Sequence, residues 1–353
     1  MTNSGAISTS TSHAEVLLNE ETVVAYLRGR GLTFAKDPTV ETLAGGVSNI
    51  VLAIKTDGWS CIVKQSLAKL AVAEEWHAPT GRVITEADAL TLVAALTPSA
   101  VPEVYDRDPI RHAIVIERAP AEWADWRVLL FDGDIDRSIA TDLGKILGCW
   151  HAATLNSPDL GSRMDDYNAF QLLRIDPYYL TVARRCPETA EALMQLIDDM
   201  GSRRFCLVHG DFSPKNILVA PPGSGPGRER QSWVIDFEVA HRGDPIFDVA
   251  FMSTHLLMKS VAIADRGDEL DKCLVDFVAS YSTAVRGIDT LRPDHRYLAR
   301  HIGALLLARV HGKSPSGYLS PASELVISRL GTSLLTDPPT DIAEILDRRN
   351  ECR

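Results

Sequence analysis

The chain has 353 residues, 45% of them hydrophobic, and its 47 acidic against 36 basic side chains give a formal charge of −11. That balance, with no run of Lys or Arg, argues against a nucleic-acid partner, and the longest apolar run, residues 303–308, is far too short to cross a bilayer. Six scattered cysteines without a Cys-x-x-Cys pair read as reduced core residues rather than a disulfide or zinc framework, so a cytoplasmic protein with no membrane partner is expected.

Residues 1–13, rich in Ser and Thr, read as a disordered tail rather than a signal peptide. Apolar positions Val16, Leu17, Val23, Val24 and Leu27 predict a helix within residues 14–30. The pattern then shortens to period two. Residues 49–54 and 61–64, joined by Thr56-Asp57-Gly58, predict a β-hairpin. A helix carrying Glu86, Leu90 and Val93 follows, then strands at Val104-Tyr105 and Ala113–Ile116. After Pro120 the chain turns helical, with Leu143, Ile146, Leu147, Trp150 and Thr154 on one core-facing stripe. A Pro/Gly-rich stretch, residues 220–230, reads as a flexible insertion between two strands, and helices are expected from Phe247 to the end. The reading is α+β, with a small β-rich lobe (14–117) and a larger, mainly helical lobe (118–353).

The chemistry concentrates in two blocks. Leu207–Asn216 holds Asp211 and, five residues later, Asn216; Val234–Glu238 delivers Asp236 at the end of an apolar run. A carboxylate positioned to hold an attacking hydroxyl, with two further oxygen ligands for Mg²⁺, is the inventory of phosphoryl transfer from ATP. Upstream, Ala44-Gly45-Gly46-Val47-Ser48-Asn49 forms a glycine turn whose N–H groups suit phosphate oxygens. Lys64 interrupts an apolar strand, where an unpaired ammonium is costly. Its expected partner is Glu86, with Glu74 and Glu75 as alternatives.

His209-Gly210-Asp211…Asn216, Asp236-Phe237-Glu238 and Gly243-Asp244-Pro245-Ile246-Phe247-Asp248 resemble the aminoglycoside phosphotransferase and choline kinase family, over about residues 40 to 320 in order. Val63–Leu67 followed by Trp76, Arg82 and Glu86 is most similar to its methylthioribose kinase side. The resemblance implies a bilobal protein-kinase-like fold with ATP in the cleft. It implies that the Glu117 carbonyl and the Ala119 N–H contact adenine, and that His209 and Asp248 brace the catalytic loop. Asp244 is read as a further brace and His151 as a structural histidine. Glu238 and Arg309 are acceptor-side candidates, with a surface ion pair as the alternative for Arg309.

The acceptor is expected to be a small-molecule hydroxyl, first a neutral sugar-like metabolite bound with little salt dependence. An aminoglycoside or other antibiotic comes second, which would need clustered carboxylates such as those in Asp132–Asp136 or Asp165-Asp166. A protein substrate comes third, because no Ala-Pro-Glu block follows Asp236. A catalytically inactive nucleotide-binding module is the reading of another class, and the complete set Lys64, Asp211, Asn216 and Asp236 argues against it. The expected state is monomer or homodimer.

Overall fold

The computed structural model describes residues 17–43, 48–69, 78–224 and 230–352. The tail, Gly45, Gly46, Glu74, Glu75 and Trp76 lie outside the described residues. The fold is the bilobal protein-kinase-like one, a small antiparallel sheet lobe followed by a larger helical lobe.

The expected N-terminal helix is shorter than its apolar spacing suggests: α1 covers Val23–Gly29. Ahead of it, the Asn19 side chain accepts the N–H groups of Glu21 and Thr22, both at 3.0 Å, holding the chain in a turn where a helix would otherwise continue backward. Five strands then form one sheet in the order β1-β2-β3-β5-β4, from β1 (Thr39–Thr42), β2 (Asn49–Thr56), β3 (Trp59–Ser66), β4 (Val104–Asp108) and β5 (Ala113–Glu117). The Asp57-Gly58 turn joins β2 to β3 as expected, with Gly58 at φ 81°.

The period of two assigns the faces. Cys61, Val63, Ala113 and Val115 pack with Leu18, Val23 and Leu27 on one side. Ile62, Ile114 and Ile116 point to the other, towards α2 (Arg82–Leu96) and the main core. Lys64 lies opposite Ile114 and so shares that second face. Its ammonium is thereby delivered to Glu86 of α2.

The large lobe begins with β6 (Ala124–Asp125), α3 (Trp126–Phe131) and α4 (Arg137–Thr154). Short helices α5 (Gly161–Met164) and α6 (Asn168–Phe170) lead into a π-helical segment, Gln171–Leu180, then α7 (Thr181–Arg185) and α8 (Ala190–Ser202). Strands β7 (Cys206–Val208), β8 (Ile217–Val219), β9 (Ser232–Val234) and β10 (His241–Gly243) follow. The strands flanking the Asp211 loop do not pair with each other: β7 pairs with β10, while β8 lies between β6 and β9. The chain closes with α9 (Pro245–Ala262), α10 (Gly267–Ala284), α11 (His295–His311), α12 (Pro321–Thr336) and α13 (Ile342–Glu351). α9 is buried along almost its whole length and serves as the central pillar of the lobe. Among the described residues no single helix is long and apolar enough to cross a membrane.

The insertion at 220–230 is anchored at its far end. Arg230, a buried residue, pairs with Asp134 at 2.8 Å and donates to the Ala220 carbonyl at 2.9 Å. Cys61, Cys186, Cys206 and Cys273 are buried free thiols, as their apolar surroundings suggest.

Close helix packing depends on glycine at one crossing. A Cβ on Gly144 of α4 would collide with the Phe277 carbonyl of α10 and stand 2.9 Å from the Tyr281 nitrogen. Gly144→Ala should therefore lower stability by about 1–3 kcal/mol, read as a fall in the urea midpoint with unchanged m-value.

Histidines whose pKa burial lowers give the fold a pH signature: His209 and His255, and with them His241 and His301. His241 donates to the Val239 carbonyl at 2.9 Å and lies against Phe170, with ring centroids 4.2 Å apart. Burial pulls its pKa down to about 4, and burial with Arg300 and Arg203 nearby pulls that of His301 down to about 3. The unfolded chain, with histidine near about 6.5, then binds more protons than the native one below that pH. Stability should be greatest above about pH 6.5 and fall as pH drops towards 4, by at most about 1.4 kcal/mol per unit for each histidine. Denaturation midpoints measured from pH 7 to 5 should show this slope, and His301→Gln should flatten it; an unchanged slope would contradict the assignment.

Candidate active site

The loop between β7 and β8 is built on a buried floor. Phe212 and Phe237 are fully buried, and both pack on Trp150 of α4, with ring centroids 6.4 and 5.6 Å away. Gly210 takes φ 76°, and a Cβ there would stand 2.8 Å from the Val239 carbonyl, so the turn admits only glycine. Asp248, in the first turn of α9, accepts the backbone N–H of His209 at 2.6 Å and of Gly210 at 2.9 Å. His209 hydrogen-bonds the Ile235 carbonyl through Nε2 at 3.1 Å and accepts the Asp211 N–H through Nδ1 at 3.1 Å. These contacts fix the backbone on both sides of Asp211.

Asp211 is almost fully buried, yet ionised. Arg174 stands 3.1 Å from its Oδ1 and Lys215 2.8 Å from its Oδ2. Burial alone would push the carboxyl up; the two cations outweigh it and hold the group well below the usual carboxylate range. Asn216 donates through Nδ2 to the Asp211 carbonyl at 2.9 Å and to its Oδ2 at 3.0 Å. This fixes the amide so that Oδ1 is directed away from Asp211.

Asp236 sits at φ 71°, a left-handed conformation costly for a residue with a Cβ. The buried Phe237 beyond it and the Lys64 ammonium, 3.3 Å from its Oδ1, hold it there. Lys64 also pairs with Glu86 at 2.6 Å. Glu86 is therefore the partner among the alternatives that the structure describes. Burial alone would lower the Lys64 pKa, and Glu86 and Asp236 together hold it above the usual lysine range. One carboxylate (Asp236) and one amide oxygen (Asn216) form a hard-oxygen pair that suits Mg²⁺, which takes few protein ligands and completes its shell with phosphates and water.

The lobes are tied beside this point. Arg82, buried at the start of α2, donates to Glu238 at 3.1 Å and to the Leu67 carbonyl at 3.0 Å, and also to the Ser48 carbonyl. Asn49 donates to the same Glu238 oxygen at 2.9 Å and to the Ser48 hydroxyl at 3.2 Å. Glu238, expected on the acceptor side, is thus committed to the small lobe. Glu117 ends β5, and its N–H donates to the Glu103 carbonyl at 2.8 Å; Ala119 follows, half-buried.

Other expectations sort by location. His151 is fully buried and hydrogen-bonded to the Tyr281 hydroxyl at 2.9 Å, and Asp244 caps α9 while pairing with Arg203 at 3.1 Å. Among the described residues Arg309 forms no ion pair; its guanidinium donates to the hydroxyls of Ser316 at 3.0 Å and of Tyr178 and Ser314, both at 3.4 Å. Three residues had no role assigned from sequence: Arg174, Lys215 and Arg82. Lys215 lies inside the quoted loop, and a lone Arg in the apolar run Leu172-Leu173-Arg174-Ile175 was a usable signal for a buried counter-ion.

A solved structure shares this architecture. A microcompartment-associated aminopropanol kinase aligns at 16% identity and TM-score 0.52, over 91% of this chain and 99% of that one. A Plasmodium vivax ethanolamine kinase aligns at 13% identity and TM-score 0.49, over 95% and 89%. A macrolide 2'-phosphotransferase from Brachybacterium faecium aligns at 15% identity and TM-score 0.49, over 91% and 100%. At 16% identity the likeness to the aminopropanol kinase is one of fold. No curated protein matches the sequence. Residues 39–293, however, match the phosphotransferase enzyme family, and the chain belongs to it.

Proposed function

We propose that this phosphotransferase moves the γ-phosphoryl group of ATP onto a hydroxyl of a small, sugar-like metabolite. The observation that carries the reading is the buried Asp211 carboxylate, kept ionised by Arg174 and Lys215 and flanked by Asn216, Asp236 and the Lys64–Glu86 pair. Asp211 orients the acceptor hydroxyl and takes its proton late, because a carboxylate this acidic is a weak base but a permanent one. Lys215, two-fifths exposed, can turn from Asp211 to the transferring phosphoryl oxygens. Lys64 holds the α/β-phosphates; Ser48 and Asn49, with the Gly45-Gly46 turn, cover them, and the backbone at Glu117 and Ala119 meets adenine. Asn216 and Asp236 would hold Mg²⁺, which when bound neutralises phosphate charge. His209 and Asp248 position the loop. The gain comes from placement and charge rather than covalent chemistry.

The acidic runs that a polycationic antibiotic would need are already used. Asp134 pairs with Arg230, Asp136 caps α4, Asp165 pairs with Arg242, and Asp166 accepts the Asn168 N–H. This favours the sugar-like acceptor over an aminoglycoside. An inactive nucleotide-binding module is disfavoured because every charge of the set is present and paired.

Asp211→Asn should lower kcat by about 10²–10⁴-fold while ATP·Mg²⁺ still stabilises the protein to heat; retention of a tenth of wild-type kcat on the acceptor would refute the role of Asp211. Asp236→Ala should abolish the Mg²⁺-dependent part of ATP's thermal stabilisation, whereas Lys64→Ala should weaken ATP with or without metal. Equal Mg²⁺ titrations for wild type and Asp236→Ala would remove Asp236 from the metal site.

A further inference from the structure

The acceptor side of Asp211 is lined by cations, in a protein whose formal charge is −11. Arg174, paired with Asp211, lies over Tyr178 and over Phe251, 5.6 and 5.7 Å from the ring centroids. Phe251 begins a stripe on α9 at four-residue spacing: Phe251, His255, Lys259. Lys259 is 1% exposed, and its ammonium lies 5.6 Å from the Phe131 ring centre and 5.5 Å from that of Tyr318. It forms no ion pair among the described residues, and its one hydrogen bond there is a 3.5 Å contact with the His255 carbonyl.

The surroundings make this unusual. Arg127 and Arg309 both stand close enough to repel the Lys259 charge, and among the described residues the carboxylate pulling the other way, Asp125, is held by Arg127 at 2.8 Å. Burial, then these two arginines, push the Lys259 pKa down to about 7. Two cation–π contacts offset only part of the burial cost of an unpaired ammonium. An apolar side chain would fill this place without penalty, so a lysine here points to an anion that arrives from outside.

We infer that the acceptor carries a small anionic group, a carboxylate or a phosphate monoester, drawn to the Lys259 ammonium that lies over the contacting Phe131 and Tyr318 rings, with Arg309 and Arg127 beside it. The inference rests on the proposed phosphoryl transfer to a small hydroxyl compound and names its charge class. Scale agrees. Phe251 is at the level of the Arg174–Asp211 pair, and Lys259 is eight residues further along α9, about 12 Å at 1.5 Å per residue. A hydroxylated chain of about six carbons with a terminal anion spans that length. The salt-insensitive neutral sugar expected from sequence gives way to an acceptor whose KM rises with ionic strength.

The test uses the full chain with ADP and Mg²⁺, titrated calorimetrically with four matched compounds: a six-carbon sugar acid, a hexose 6-phosphate, the neutral polyol and the amino sugar. One of the two anions should bind at least tenfold tighter than the polyol, and which one does so distinguishes carboxylate from phosphate. Lys259→Met should remove that preference at least tenfold while leaving the thermal shift by ATP·Mg²⁺ intact; Arg309→Gln, on a less buried side chain, serves the same purpose if the first variant does not fold. Lys259→Arg should restore part of the preference, which a merely structural lysine would not require. Equal or tighter binding of the polyol or amino sugar, no binding of either anion at millimolar concentration, or an anion preference untouched in both loss variants would overturn the inference. Loss of the ATP·Mg²⁺ shift in wild type would instead count against the phosphotransferase reading.

Discussion

The loop that carries Asp211 depends on one carboxylate in the helix packed behind it. Asp248 is fully buried and accepts two adjacent backbone N–H groups from the loop that carries Asp211. It sits on α9, the most buried helix of the lobe, so the loop takes its position from the pillar rather than from its own flanking strands. Those strands belong to different small sheets and could not define the loop alone. Hydrogen bonds to a charged acceptor are among the stronger ones, and here they turn a short glycine-containing turn into a fixed platform.

The electrostatics of the platform follow from matching buried charge. Asp211 and Asp236 would resist ionisation if isolated, and each is brought below the usual range by nearby cations: Arg174 and Lys215 for one, Lys64 and Lys215 for the other. The interlobe tie obeys the same rule, since Glu238 is met by Arg82 and Asn49. What stands apart is Lys259, whose charged neighbours Arg127 and Arg309 repel it, and it is on that local excess of positive charge that the proposed anionic acceptor rests.

The legible parts of the molecule were those whose meaning is local. Asp211 and Asn216 are five residues apart, and Asp236 closes an apolar run, so residue type and spacing exposed the loop before any contact was known. The hairpin of the small lobe declared itself through period two and an Asp-Gly turn. The partners of Arg174 and Arg82 could not be read because they are distant in sequence: Asp211 is 37 positions beyond Arg174, and Glu238 lies 156 beyond Arg82. Helix α1 was drawn too long because apolar spacing does not report that an Asn side chain will take the N–H groups a helix start leaves free. Lys259 gave no signal either, since a lysine in a helix is ordinarily read as solvated.

Arg174 owes its aim to an uncommon piece of backbone. It lies in the π-helical segment Gln171–Leu180, which contains Pro177, and its guanidinium reaches the Gly210 carbonyl at 2.7 Å as well as Asp211. A π-turn carries one residue more than an α-turn, so losing a single residue ahead of Arg174 would relax the segment and rotate the side chain by about 100° around the axis. Asp211 would then keep one counter-ion instead of two. The segment behaves as a spacer of fixed count: most of its side chains can be exchanged for others of similar size, while its length is held by the chemistry of a residue that it never touches except through Arg174.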